Sequence, residues 1–309
     1  MSQKQTHKQA SPAGEGQAFH SGFVAIMGRP NVGKSTLMNT LIGEKVAIVS
    51  DRPQTTRNRI MGVLSDPAWQ MVFLDTPGLH TPRTKLGSYM VKAAKDAMDG
   101  IDVLVVMVDA GQIGAHDRQI VAELADKKVT RVLVLNKIDL LDEQHILAAI
   151  ASFSEAGYDH IVPISAAGGR GLDLLRGVLV AALPEGPRYF PDDMITDQPE
   201  RLICAEIIRE KALQRLREEV PHGIGVEMMA MNRLSDGLME IHATIYCERA
   251  SHKGIIIGKQ GAMLKAIGTA ARTDIEGLLG IHVSLQLWVK VREDWRNRLD
   301  DLRTLGYQD

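Results

Sequence analysis

The chain has 309 residues, 45% hydrophobic and 24% charged, with a formal net charge of −2; this is the profile of a soluble globular protein with apolar side chains enough for two cores. Its 36 Lys plus Arg nearly balance 38 Asp plus Glu, which excludes a general basic coat for nucleic acid and confines any such site to a local patch. The cysteines, Cys204 and Cys247, stand far apart in no metal or redox spacing, which excludes a disulfide framework and a zinc site and fits a reducing cytosol.

Residues 1–20, "MSQKQTHKQASPAGEGQAFH", have no apolar core and read as a disordered tail rather than a signal peptide. No later apolar run approaches the roughly 20 residues of a membrane span. Over 21–183, "FVAIM", "MVFLD", "VLVVMVDA", "VLVLNK" and "IVPIS" read as strands, and "KSTLMNTLIG", "YMVKAAKDAM", "RQIVAELADK", "QHILAAIASF" and "LDLLRGVLVAAL" between and after them as amphipathic helices. Unbroken apolar strands alternating with helices predict an α/β domain, its mostly parallel sheet covered on both faces. Residues 184–199 hold prolines 184, 187, 191 and 199, a density that blocks regular structure and marks a linker. Over 200–309 the pattern changes to a smaller α+β domain: a helix "RLICAEIIREKALQRL", strands near 225–231 and 240–246, a glycine loop, a helix over about 262–279 and a strand "IHVSLQLWVKV".

"GRPNVGKST", 28–36, fits G-x-x-x-x-G-K-[ST] between a strand and a helix. In such a loop Gly28, Arg29, Pro30, Asn31, Val32 and Gly33 form a phosphate cradle. The glycines let the backbone curl so that N–H groups and the helix N-terminus face phosphate. Lys34 supplies a cation to the β/γ oxygens, the Ser35 hydroxyl ligates Mg²⁺, and Thr36 follows in the first helical turn. "DTPG" ends the next predicted strand, placing Asp75 to hold Mg²⁺ through water and the Gly78 N–H to sense the γ-phosphate. "NKID" supplies Asn136, a Lys137 stem to lie over a base, and Asp139, whose carboxylate accepts N1–H and N2–H of guanine; adenine offers no such pair and would leave the carboxylate unpaired. "SAA" supplies Ser165 and the Ala166 N–H for guanine O6. These motifs, in order at the carboxyl ends of apolar strands, predict GTP binding. In "VAIVSDRPQTTRNRI", Thr55 and Thr56 are candidates for Mg²⁺ and the γ-phosphate, with Thr56 favoured. Lys34, Thr56 and Gly78 form the expected catalytic set.

"GRPNVGKST", "QTTR", "DTPGLH", "NKID" and "SAA" resemble the translation-factor-class GTPases of the Era-like family. The resemblance implies Mg²⁺-dependent hydrolysis of GTP to GDP. Leu79 follows "DTPG" where Ras-type enzymes carry the glutamine that orients water, so hydrolysis is expected to be slow unless another group or a cation assists. Asn31 stands where similar GTPases ligate K⁺; the alternative is that it only fixes the loop backbone.

The second loop, "HKGIIIGKQG" at 252–261, is no second P-loop. It is one residue short, and Gln260 stands where Ser or Thr must meet the metal. What remains is G-x-x-G: Gly258, Lys259, Gln260 and Gly261 between helical segments, the KH arrangement that clamps about four single-stranded nucleotides. Lys253, Lys265 and the flanking Ile257 join this expected RNA site. Ile255, Ile257, Leu264 and Ile267 read as core, while Ile256 fits either core or base stacking. Trp295, in "KVREDWRNR", reads as an RNA contact or part of a solvated terminal helix. "FPDDMITDQPERLICAEIIREKA", "IIGKQGAMLKAIGTAARTDIE" and "LWVKVREDW" resemble the C-terminal, type II KH domain of the same family. That resemblance implies binding to the 3′ end of 16S rRNA during 30S subunit assembly, a cytoplasmic monomer, and peripheral association with the inner membrane. A competing expectation is an RNA-binding protein whose GTP is structural and scarcely hydrolysed. A P-loop kinase is argued against by "NKID" and by the absence of an evident acceptor pocket.

Overall fold

The computed structural model describes residues 18–50, 52, 55–78, 82, 84–216 and 220–307. The disordered reading of the tail lies outside the described residues through 17, as do Gln54 and Leu79. At the tail's other end the boundary moves: His20 opens the first strand rather than closing the tail.

The first domain runs β1 (His20–Met27), α1 (Lys34–Ile42), β2 (Ile60–Ser65), β3 (Trp69–Asp75), α2 (Lys85–Asp96), β4 (Val103–Asp109), α3 (Ala115–Leu124), β5 (Thr130–Asn136), α4 (Glu143–Ala151), β6 (His160–Pro163) and α5 (Leu172–Ala182). Strand order is β2-β3-β1-β4-β5-β6, parallel throughout except for the β2–β3 pair. The period of two divides each central strand between two cores. Val24 and Ile26 of β1, with Val103 and Val105 of β4, pack under Leu37 of α1 and Leu175 of α5. Ala25, Met27, Leu104 and Val106 pack under Ile120 of α3 and Ile146 of α4. All of β4 is buried, which is why it reads as a continuous apolar run.

The sequence reading misses β2. Its segment "IMGVLS" is short and carries a glycine, which weakens the strand signal. A Cβ at Gly62 would lie 2.3 Å from Ile42 Cδ1, so a side chain there would make Ile42 shift. β2 is also an edge strand, and residues 184–199 cover it. Val63 N–H donates to the Ile195 carbonyl at 2.9 Å, and Thr196 Oγ1 to the Met61 carbonyl at 2.7 Å. Buried Gln70 holds the same segment from β3, accepting from Tyr189 and Phe190 N–H and donating to the Phe190 carbonyl. The proline-rich segment thus lacks helix and strand yet is strapped to the first domain.

The second domain runs α6 (Glu200–Arg215), β7 (Gly225–Ser235), β8 (Leu238–Cys247), α7 (Ala250–Ile257), α8 (Ala262–Leu279), β9 (His282–Val291) and α9 (Leu299–Thr304). Its sheet, β7-β8-β9, pairs β7 antiparallel and β9 parallel to β8. Ile208 of α6 and Ile267, Ala271 and Ile275 of α8 cover one face through Ile241, Ala243 and Ile245.

Some expectations fail here. Ile255 is 49% exposed rather than core, and Ile256 is fully buried, so it is not a base-stacking residue. Trp295 neither faces RNA nor lies on a solvated helix. It is fully buried, its indole N–H donating to the Gly223 carbonyl at 2.9 Å and its ring stacked on Tyr307. Leu86 and Met90 of α2 join Trp295, Tyr246, Leu302, Leu305 and Tyr307 in one cluster that fastens the domains together.

Candidate functional site

The first glycine loop leaves β1 and turns into α1 with φ values of 146° at Gly28 and 104° at Gly33, a region that side chains rarely adopt. A Cβ on Gly28 would meet the Met107 carbonyl at 2.5 Å, and one on Gly33 the Asn136 Nδ2 at 2.3 Å. Gly33 caps α1 with no side-chain bond, so the first N–H groups of that helix are left for an anion. Lys34 is buried, and its ammonium donates to the Gly28 and Arg29 carbonyls at 3.1 and 2.9 Å. Burial pulls its pKa down to about 8, with nearby Asp75 opposing the shift.

The expected metal ligands converge. Ser35 Oγ donates to Asp75 Oδ2 at 2.6 Å and lies 3.0 Å from Thr56 Oγ1, itself 3.4 Å from the same carboxylate oxygen. Thr55 turns away and donates to the Arg52 carbonyl at 2.6 Å, which separates the two threonines that the sequence leaves in competition. Burial raises the Asp75 pKa against the pull of Lys34, Ser35 and Thr56. Its Oδ1 is buried without a partner. Two hydroxyls and a carboxylate with a spare oxygen suit a hard divalent cation such as Mg²⁺. Among the described residues there is no cluster of three or more His, Cys, Asp or Glu able to hold a metal.

The base side is held by the remaining motifs. Asn136 Nδ2 donates to the Val32 carbonyl at 2.7 Å, tying β5 to the phosphate loop. Lys137, at φ 66°, pairs with Asp109 Oδ2 at 2.8 Å, a partner that the sequence reading misses. Asp139 is exposed in the turn that follows, ready to accept a base edge. One expectation changes: the Ala166 N–H, assigned to guanine O6, donates to Asn136 Oδ1 at 2.9 Å, and Ala166 is buried. Ser165 accepts from the Gly168 N–H and fixes the loop around it. Arg29 also points away from the pocket, to Asp117 and the Gln112 carbonyl. The cavity, about 320 Å³, is lined by Pro30, Asn31, Gly33, Lys34, Ser35, Thr36, Gly78 and Lys137, and also by Ile48, Val49, Ser50, Thr55 and Thr56. The apolar part of that second group carries no sequence signal. At Gly78 a Cβ would lie 2.6 Å from Pro30 N, so only glycine fits against the loop.

The second loop uses the same physics on an open surface. Gly258 (φ 72°), Gln260 (φ 52°) and Gly261 (φ 80°) turn α7 into α8, whose N-cap, Gly261, again makes no side-chain bond. A Cβ on Gly258 would strike the Met263 N at 2.9 Å, whereas Gly261 faces open space. Lys253, Lys259, Gln260 and Lys265 are exposed around it, and Ile257 packs on the core. A groove continues along α8 and β9 past Gly268, Thr269, Arg272, Leu285 and Leu287. The helical spacing of 261, 265, 268 and 272 was the available signal for it.

Residues 23–137 match the family described as 50S ribosome-binding GTPase, and residues 219–296 the KH domain family. The GTPase Era of Alkaliphilus metalliredigens is 55% identical over 294 residues, covering 94% of this chain and all of that protein. The chain belongs to the Era GTPase family. Era of Clostridioides difficile is 54% identical over 94% of this chain and 99% of its own. The crystal structure of an Era in complex with MgGDPNP and nucleotides 1506–1542 of 16S ribosomal RNA aligns with a TM-score of 0.90 at 42% identity, covering 94% of this chain and 100% of that one. A variant of Aquifex aeolicus Era bound to GDP·AlF₄⁻ aligns equally well. The Era family thus accounts for both glycine loops on one chain.

Proposed function

We propose that this protein is a GTP-hydrolysing switch that grips the 3′ end of 16S rRNA through its KH domain while the 30S subunit is assembled. The observation that carries the reading is the meeting of Ser35, Thr56 and Asp75 beneath a phosphate loop, on a chain whose other domain ends a helix in an open, lysine-flanked G-x-x-G turn. Lys34, released from its two carbonyls, neutralises β/γ oxygens, and the α1 N-terminus and Gly78 N–H take up the charge that develops on the transferred phosphoryl group. Ser35, Thr56 and Asp75 would hold Mg²⁺, which supplies charge neutralisation across the β- and γ-phosphates. Asp139 selects guanine.

The described residues that line the cavity include no glutamine, histidine or carboxylate to orient water, and the residue after Gly78 is a leucine. That observation favours slow intrinsic turnover and keeps a largely structural GTP as the second reading. Timed phosphate release separates the two: release no faster than spontaneous hydrolysis, with RNA bound or free, leaves only the structural reading. A K⁺ ion at exposed Asn31 would supply missing charge; equal rates in potassium and sodium would refute it. The protein acts in the cytoplasm as a monomer with peripheral contact to the inner membrane, a placement supported by family resemblance alone. No helix among the described residues is long and apolar enough to cross a membrane.

A further inference from the structure

Thr56 sits between two residues that the KH domain holds. On one side the Arg209 guanidinium of α6 donates to the Thr55 carbonyl. On the other, Arg57 Nη1 donates to the Ile224 carbonyl at 2.8 Å and the Tyr307 hydroxyl at 3.1 Å. Upstream, the Val49 N–H donates to Glu210 Oε1 at 2.9 Å, and Lys45 bridges Glu210 and Asp274 at 2.5 and 2.7 Å. The phosphate side of Thr56 belongs to the first domain, but the backbone that aims it is fastened to the second.

We infer that Arg209 is a positioning residue for GTP hydrolysis: from the KH domain it holds the Thr55 carbonyl and so sets the Thr56 hydroxyl beside Ser35 and Asp75. This inference rests on the GTPase reading above. Arg209 is fully buried and fixed by a bidentate pair to Glu206, at 2.8 and 2.5 Å, which leaves its fork little freedom. Simple packing would not favour this construction. Arg57 and Arg209 are both buried close to one another, with Glu206 beside both and Glu210 near Arg209, and Arg57 Nε and Arg209 Nη1 have no hydrogen-bond partner. Buried charge with unpaired N–H groups costs stability that apolar side chains would not. Arg209 reaches the nucleotide pocket only through the backbone it holds, so that backbone is where its effect must be read.

The test uses the full-length protein with Arg209→Gln and Arg209→Lys, and Asn297→Ala as a control that removes a different cross-domain bond, from the Lys85 N–H to Asn297 Oδ1. Single-turnover GTP hydrolysis is measured across Mg²⁺ concentrations, with fluorescent GDP affinity and melting temperature alongside. Arg209→Gln is expected to slow hydrolysis by about 10- to 100-fold, the scale of a misplaced reacting group. It should also raise the Mg²⁺ concentration needed for half-maximal rate and leave GDP affinity unchanged, because GDP has no γ-phosphate for Thr56 to serve. Arg209→Lys should recover part of the rate, and Asn297→Ala should behave as the parent. Parental rate and Mg²⁺ dependence in either folded Arg209 variant would overturn the proposal. So would equal losses of GDP affinity and rate, the mark of a general structural role. If Arg209→Gln does not fold, Arg209→Lys carries the same decision. A parent protein that hydrolyses no GTP would instead overturn the GTPase reading.

Discussion

Asp139 lies exposed on a turn, and guanine binding would cover it, so its partner must match or a carboxylate is desolvated unpaired. Asp139→Asn is expected to weaken GTP binding by roughly 10²-fold or more and to gain affinity for xanthosine triphosphate, whose extra oxygen accepts from an amide. Unchanged GTP affinity with no gain for the xanthine nucleotide would remove Asp139 from the base site. Lys34 gives a prediction in pH. With its pKa held at about 8 in the free protein, it is partly neutral at pH 8. Phosphate oxygens favour the ammonium and raise that pKa, so nucleotide binding at pH 8 should take up about half a proton, and affinity should decline as pH rises above 8. Calorimetry in buffers of different ionisation enthalpy measures the uptake; the same apparent enthalpy in all of them would contradict it. For stability the sign is opposite. Above pH 8 the unfolded lysine holds its proton and the folded one does not, so Lys34 costs less as pH rises toward 10.5.

Among the elements, the turn 258–261 is where chemistry and packing share residues. Gly258 is packed against Met263 and Gly261 is open. Gly258→Asp with Gly261→Asp therefore adds strain at one end and negative charge at the other. Single-stranded RNA binding should fall by about 10²-fold or more, in line with losing several phosphate contacts, while GTP affinity stays unchanged. A folded double variant that binds RNA normally would end the clamp reading. This element was legible in the sequence because glycine at positive φ leaves a mark in composition, as it does at Gly28 and Gly33. So were β1, β3, β4, β5 and β6, whose apolar runs are unbroken. β2 was not, since an edge strand carrying Gly62 and covered by an irregular strap has no clean period. Trp295 misled for a related reason: "REDWRNR" is charged on both sides of a tryptophan that lies under Tyr307, and burial there comes from residues far along the chain. Thr56 is favoured over Thr55 in the sequence, and in the structure the Thr55 hydroxyl turns to the Arg52 carbonyl while the Thr56 hydroxyl lies beside Asp75.

At the scale of the whole molecule, the two domains meet by a shorter route than the 184–199 segment that joins them in sequence. Lys45, Val49 and the Thr55 carbonyl bond Glu210 and Arg209 of α6 directly, and Arg57 bonds the Ile224 carbonyl just before β7. A γ-phosphate that favours one placement of Thr56 must then favour one placement of α6, and the reverse holds by linkage. RNA affinity should differ by roughly 5- to 150-fold between GDP and a non-hydrolysable GTP analogue, a coupling of ~1–3 kcal/mol. RNA should shift analogue affinity by the same factor. Identical RNA affinities with GDP, with analogue and without nucleotide, at one salt concentration, would leave two independent modules.

The strap has a mechanical consequence. Among the described residues its last hydrogen bond to the first domain is from Thr196 to the Met61 carbonyl, and α6 begins at Glu200. Residues 197–199 are thus the tether between the strap and α6, spanning at most about 14 Å when fully extended. Should the contacts to α6 and the cluster of Leu86 and Met90 with Trp295 and Tyr307 let go together, the KH domain can swing about that short leash but cannot diffuse away. Its local concentration then stays on the order of millimolar, and reclosing is a first-order event, independent of how much protein is present.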